Sequence, residues 1–189
     1  MLIQRHDALL LVVDIQEKLA PAIFESAQVV RNTVRLIEGA RQLEVPVFIS
    51  EQYVQGLGPS VPEIRQAATA ESAAGPRVDG RFFEKIHFSC ATEPGVVDLL
   101  RSSGRKQVIL TGTETHVCVL QSALGLLEAG FQVFLVADAA SSRTPENRTL
   151  AIERLRAAGV AIVSTEMVLF EWLQRAGTDA FRKMLPLIK

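Results

Sequence analysis

The feature that most constrains this chain is a succession of six short apolar, β-branched runs separated by helix-like stretches. "ALLLVV" (8–13), "VPVFIS" (45–50), "RFFEKIHF" (81–88), "QVILTG" (107–112), "FQVFLVAD" (131–138) and "VAIVST" (160–165) read as strands. Between the first two lies a helix from about Ser26 to Leu43, with Val30, Val34 and Ile37 on one face. "EPGVVDLLRSSG" reads as a short helix stopped by Gly104, and "HVCVLQSALGLLEAG" as one that ends at Gly130, with Thr115 as its N-cap. "TPENRTLAIERLRAAG" has Thr144 at the N-cap, Pro145 at the first helical position and Gly159 past the end. Helical segments close the chain. Strands that are apolar on both faces and alternate with helices imply a parallel sheet covered on both sides. Right-handed crossovers then predict a three-layer, doubly wound, Rossmann-like α/β fold with strand order 3-2-1-4-5-6. At 189 residues with 48% hydrophobic side chains, the expectation is a single domain over 1–189 with a full core.

In that order strands one and four are neighbours from which the chain winds away in opposite directions, and ligands bind at the carboxyl ends of such strands. Strand one ends at Asp14, and strand four leads through "TGTETHVCVL" to Cys118. An acid and a thiol from distant parts of the sequence are thus predicted to share one crevice. With Thr115 as N-cap, Cys118 falls in the first helical turn, where free N–H groups and the helix dipole favour a thiolate. Lys85, near the end of strand three, has the reach to orient the acid, although a solvated surface lysine is the plainer reading of the residue alone. Asp14 can act as a base if burial raises its pKa. Helix position and Lys85 together predict a Cys118 pKa below that of a free cysteine and faster alkylation than at Cys90, which reads as inert. Backbone N–H groups of Glu114 and Cys118 are candidates for an oxyanion hole. The loop "EQYVQGLGPSVPEI" (51–64) reads as irregular and near a site, so Gln52 and Tyr53 become pocket candidates, as do Gln16 and His116.

These residues resemble a known family. "VVDIQ", "EKIHFSC" and "TGTETHVCVL" are similar to the motifs of the isochorismatase-like cysteine hydrolases, and most of all to the compact isochorismatase domain-containing type. The resemblance implies that Asp14, Lys85 and Cys118 form a catalytic triad. It implies hydrolysis of a small amide or carbamoyl group through a thioester on Cys118, and a non-proline cis peptide at Thr113–Glu114. Metal-binding members carry histidines after strand two. Here "ISEQYVQGLGPS" has none, and His6, His87 and His116 are scattered, so neither a metal nor another cofactor is expected. True isochorismatases, which cleave a vinyl ether, lack the nucleophilic cysteine, so retention of Cys118 favours amide chemistry. A member that binds without turnover is the non-enzymatic alternative.

Other classes fit less well. A receiver domain needs an acidic cluster after strand one, and a dinucleotide-binding protein needs glycines there; "DIQEKLAP" supplies neither. No G-x-S-x-G marks a serine hydrolase. Twenty basic and 21 acidic residues, a net charge of −1 and no basic block point away from nucleic acid and anionic membranes, toward a small-molecule substrate. Two cysteines without a C-x-x-C pattern suit a reducing cytosol, and the apolar start is too short for a membrane span, so a cytoplasmic location is expected. Val168, Leu169, Phe170, Trp172 and Leu173, together with a mean hydropathy of +0.22, predict a homo-oligomer through the C-terminal helices.

Overall fold

The computed structural model describes residues 1–69 and 80–188. Six strands form one sheet in the order β3-β2-β1-β4-β5-β6, and every pairing is parallel. They are β1 (Ala8–Val13), β2 (Val47–Gln52), β3 (Arg81–Lys85), β4 (Gln107–Thr113), β5 (Gln132–Ser141) and β6 (Ala161–Val163). All residues of β1, β2 and β4 are buried, which is why their sequences read as unbroken apolar runs rather than alternating ones.

One face of the sheet carries Leu10, Val12 and Ile49 and is covered by α1 (Ser26–Gln42), α3 (Pro62–Thr69), α7 (Thr165–Leu173) and α8 (Asp179–Ile188). The other carries Leu9, Leu11, Val13 and Phe48 beneath α4 (Val96–Arg101), α5 (Leu120–Glu128) and α6 (Pro145–Ala157). The caps of α6 are as read: Thr144 accepts from the Asn147 N–H, with Pro145 at the first position. The C-terminal apolar residues behave otherwise. Val168, Leu169, Trp172 and Leu173 are buried within the protomer, where α7 packs on α1 and β5 and takes Met184 of α8 against it. Only Phe170 of the five stands exposed, so the other four do not supply the predicted assembly surface.

Element ends differ from the sequence reading in ways that matter for the site. β2 runs two residues further than predicted, through Gln52, because its pairing with β3 continues to Gln52 opposite Lys85. β3 stops at Lys85 rather than at residue 88, since the carbonyls of His87 and Phe88 turn back toward the lysine's own ammonium. The segment predicted to be irregular contains a short helix, α2 (Val54–Leu57), and then α3. Tyr53 starts α2 from a left-handed backbone (φ 39°), and its ring lies where a Cβ on Gly56 would sit, 2.3 Å from that position. At the centre of the sheet, Gly112 has φ 140°, and a Cβ there would come within 2.1 Å of the Val13 carbonyl oxygen. This glycine lets β4 approach the end of β1, where Thr113 donates its hydroxyl to the Asp14 carbonyl at 2.5 Å.

Candidate active site

Period-2 alternation explains which polar groups meet. Phe48, Ser50 and Gln52 share one face of β2, and Phe83 and Lys85 share the corresponding face of β3. Toward the carboxyl ends this face changes from the apolar packing of Phe48 and Phe83 to the polar groups of Ser50, Gln52 and Lys85. Asp14, first residue beyond β1, has a left-handed backbone (φ 54°), and its N–H donates to the Ser50 carbonyl. Such a conformation costs roughly 1–3 kcal/mol and is tolerated where surrounding structure fixes it, often at functional sites.

Asp14 and Lys85 are both fully buried and form an ion pair, Nζ to Oδ2, at 2.8 Å. Ser50 Oγ donates to the other oxygen, Oδ1, at 2.7 Å. The ammonium also lies 2.5 Å from Gln52 Oε1, 3.1 Å from the Phe88 carbonyl oxygen and 3.3 Å from that of His87. The turn carrying those carbonyls is pinned from outside by Glu93, whose carboxylate accepts from the Ile86 and His87 N–H groups and meets His87 Nδ1 at 3.0 Å. These bonds, the one to the His87 side chain first, hold Glu93 below the usual carboxylate range.

Cys118 lies on a π-turn, Thr115–Val119, ahead of α5 rather than in the first α-helical turn. The residue that starts the turn is Glu114, in the left-handed region (φ 56°, ψ 54°), so Thr115 is not the cap. The Thr113–Glu114 peptide is trans, contrary to the resemblance-based expectation; the left-handed Glu114 makes the reversal instead. The Val117 and Val119 N–H groups both point to the Glu114 carbonyl, at 2.8 and 3.4 Å, with the Cys118 N–H between them. π-turns inside helices occur frequently at functional sites.

The thiol of Cys118 lies within hydrogen-bonding reach of the Asp14 carboxylate. Burial raises the Asp14 pKa, with Lys85 offsetting part of the rise. Burial disfavours the charged form of Lys85, but Asp14 together with Cys90 and Cys118 outweighs it, and the lysine pKa lies above its ordinary value. The predicted low pKa of Cys118 is overturned. Burial, and then the negative charge of Asp14, push the thiol up, and the opposing effect of Lys85 is smaller. The expectation followed helix position and left out the carboxylate beside the sulfur. Cys90 is fully buried, with its N–H on Ser122 Oγ at 2.8 Å and its thiol pushed up to about 11 by burial. The resting arrangement is therefore a protonated thiol next to a buried carboxyl group whose ionised form the neighbouring ammonium favours and burial opposes. That combination suits proton transfer at the moment of attack rather than a standing thiolate.

The remaining sequence candidates divide. Gln16 and Gln52 are buried with their amides engaged: Gln16 Oε1 accepts from the Gln52 N–H, and Gln16 Nε2 donates to the Gln52 and Gly58 carbonyls. Tyr53 is half-exposed beside the end of β3, its N–H on the Lys85 carbonyl. His116 sits at the far rim, its N–H and Nδ1 both on Ser142 Oγ and its Nε2 3.8 Å from Glu114 Oε2. The Glu114 side chain also meets Arg143 Nε at 3.0 Å. Ser50 was missed in sequence, though its parity with Phe48 on a fully buried strand marks it as a polar group facing the site. Among the described residues no group of three or more His, Cys, Asp and Glu side chains could hold a metal ion.

Residues 8–167 match the Isochorismatase domain family. The chain belongs to the isochorismatase family of hydrolases. This isochorismatase-family chain is 40% identical over 182 residues to isochorismatase domain-containing protein 2 of Danio rerio, covering 96% of the chain and 86% of that protein. It is 39% identical over 186 residues to the secreted isochorismatase effector Isc1 of Phytophthora sojae, covering 97% and 85% respectively. The solved structure of a Caenorhabditis elegans protein described as MAR1 ribonuclease superposes with a TM-score of 0.89 at 34% identity, covering 100% of this chain and 92% of that one. No helix among the described residues is long and apolar enough to cross a membrane.

Proposed function

We propose that this isochorismatase-family hydrolase cleaves a C–N bond of a small amide or carbamoyl compound through a thioester on Cys118. The observation that carries the reading is the fully buried Lys85–Asp14 pair, 2.8 Å across, beside the Cys118 thiol. Asp14 takes the thiol proton as sulfur attacks the carbonyl carbon, and charge moves to the carbonyl oxygen. The N–H groups of Glu114 and Cys118 are the proposed donors to that oxyanion. Collapse breaks the C–N bond, and Asp14 returns the proton to the departing nitrogen. Asp14 then takes a proton from water, hydroxide adds to the thioester, and the C–S bond breaks to release the acid and restore the thiol.

The substrate is small, since the acid, the lysine and the thiol are all buried and the net charge of −1 offers no attraction for a polynucleotide. Free thiols at Cys90 and Cys118 suit a reducing cytoplasm, although the name of one relative marks it as secreted. The proposed homo-oligomer now rests on exposed Met167 and Phe170 rather than on the rest of α7.

The test is ammonia release from a panel of primary amides, ureides and carbamoyl compounds. Turnover by the wild type that disappears in Cys118→Ala supports the reading. Turnover that survives the substitution, or cleavage of a vinyl ether with no amide hydrolysed, overturns it. A wild type that binds members of the panel and turns over none is a binding protein.

A further inference from the structure

The turn just past β3, Ile86 to Phe88, faces the site with its main chain and the solvent with its side chains. All three of its carbonyls are used inward. That of Ile86 accepts from Gln52 Nε2 at 2.7 Å, and those of His87 and Phe88 accept from the Lys85 ammonium at 3.3 and 3.1 Å. Side-chain packing gives the turn little hold, because Ile86 is 68% exposed, Phe88 55% and the His87 side chain 56%. What grips the turn from outside is one carboxylate oxygen. Glu93 Oε2 accepts from the Ile86 N–H at 2.9 Å and the His87 N–H at 3.1 Å, and it meets His87 Nδ1 at 3.0 Å. We infer that Glu93 is a positioning residue, a clasp that closes this turn so that its carbonyls hold the Lys85 ammonium against Asp14.

Both ends of the clasp are tied to the helices on that side of the sheet. The Glu93 carbonyl accepts from the Val96 N–H at 3.2 Å at the start of α4, whose Val96 and Leu100 are buried. Between the turn and Glu93, the Cys90 N–H donates to Ser122 Oγ at 2.8 Å, and Ser89 Oγ donates to the Gln121 carbonyl at 3.1 Å, both on α5. An ammonium has three N–H donors. With Asp14 Oδ2 at 2.8 Å and Gln52 Oε1 at 2.5 Å, one donor is left for the two carbonyls of the turn. Buried donors need every partner, and a hydrogen bond to the charged form favours it. Opening the turn therefore weakens the charge that supports Asp14. The bonds onto Glu93 hold it below the usual carboxylate range, so the clasp is ionised at neutral pH. His87 is the titratable group in contact with Glu93; Asp14, Cys90 and Cys118 are those that act on Lys85.

This inference rests on the proposed function, and two readouts separate them. The first is the Lys85 ammonium itself, followed by NMR of the side-chain nitrogen from pH 8 to pH 11.5, with folding checked by circular dichroism. In the wild type it titrates above the ordinary 10.5. In Glu93→Ala the titration should move down by about one pH unit, as acceptors for the charged form are lost. Glu93→Gln keeps an oxygen that takes the same two N–H groups and should stay near the wild type. The second readout is alkylation of Cys118 by iodoacetamide at pH 7, followed by peptide mass spectrometry. Glu93→Ala should slow it about tenfold, since a less ionised base accepts the thiol proton less often, and Glu93→Gln should restore most of the rate. If Glu93→Ala does not fold, Glu93→Asp, too short to reach both N–H groups, takes its place with the same expected directions. A Lys85 titration that the loss of the clasp leaves unchanged overturns the inference. So does a Cys118 rate that stays level or rises in Glu93→Ala while Asp14→Asn slows it, for the clasp then serves only the loop. A Cys118 rate that Asp14→Asn leaves unchanged overturns the proposed function instead, and the Lys85 titration alone then decides whether Glu93 is the clasp.

Discussion

Replacing Lys85 by methionine tests the site through its stability, with no substrate required. The substitution keeps the length of the side chain and removes the ammonium. Asp14 then remains fully buried with Ser50 Oγ as its hydrogen-bond donor, and three acceptors lose their common partner. Removing one member of a buried ion pair costs about 3–5 kcal/mol. For a chain of this size that corresponds to a fall in Tm of about 6–20 °C. Asp14→Asn should sit near the low end, about 3 kcal/mol, because the ammonium keeps its three neutral acceptors and asparagine tolerates the left-handed backbone. The double variant leaves no unpaired charge, so its second substitution should cost at least about 2 kcal/mol less than it does alone. The four proteins are compared by urea unfolding at pH 7. Two single losses that add to within about 0.5 kcal/mol would show that the ion pair does not couple, and the electrostatic account of the site would fail.

Lys85 also predicts a pH dependence. Its folded pKa lies above the ordinary 10.5, so its stabilising contribution is intact below that value and is lost as pH rises through the higher folded one. Unfolding between pH 9 and pH 12 should reveal this alkaline loss in the wild type, and Lys85→Met should lack it. Gly112→Ala should fail to give folded protein in circular dichroism, since its Cβ would lie 2.1 Å from the Val13 oxygen with φ at 140°; a stable variant would contradict the close approach of β1 and β4. Light scattering over a range of concentrations should give a mass above 20.7 kDa, and a monomer throughout would end the homo-oligomer proposal.

The fold was legible because its signal is redundant. Six apolar runs and the caps at Thr144, Pro145 and Gly159 point to one topology, and no single boundary decides it. The site was legible where chain order brings residues together, as it does for Asp14 and Cys118; Lys85, which by itself reads more plainly as a surface lysine, was pointed to by the family resemblance. What stayed hidden depends on three-dimensional competition. Gln52 looked like a loop residue because strand pairing with Lys85, not local propensity, extends β2 that far. Ser50 is one polar residue in an apolar run, and only its parity with Phe48 hints at its direction. The thiol pKa was misjudged because a helix position is visible in sequence, whereas the balance of burial, carboxylate and ammonium around one sulfur is not. Phe170 and Trp172 lie two residues apart on one helix, yet one is exposed and the other is core; α8, which helps to cover α7, carries no sequence mark of where it docks.

The central claim is that Asp14 primes Cys118, and the most direct measurement is the site and rate of iodoacetamide modification at pH 7 in the wild type and in Asp14→Asn. Cys118 is 5% exposed and Cys90 is 0% exposed, and both thiols are held up by burial, so neither reacts as a free thiolate. The account predicts modification at Cys118 in the wild type, little at Cys90, and a loss of roughly 100-fold in Asp14→Asn, within the range for removing a general base. Equal labelling of the two cysteines, or a Cys118 rate unchanged by Asp14→Asn, would contradict it.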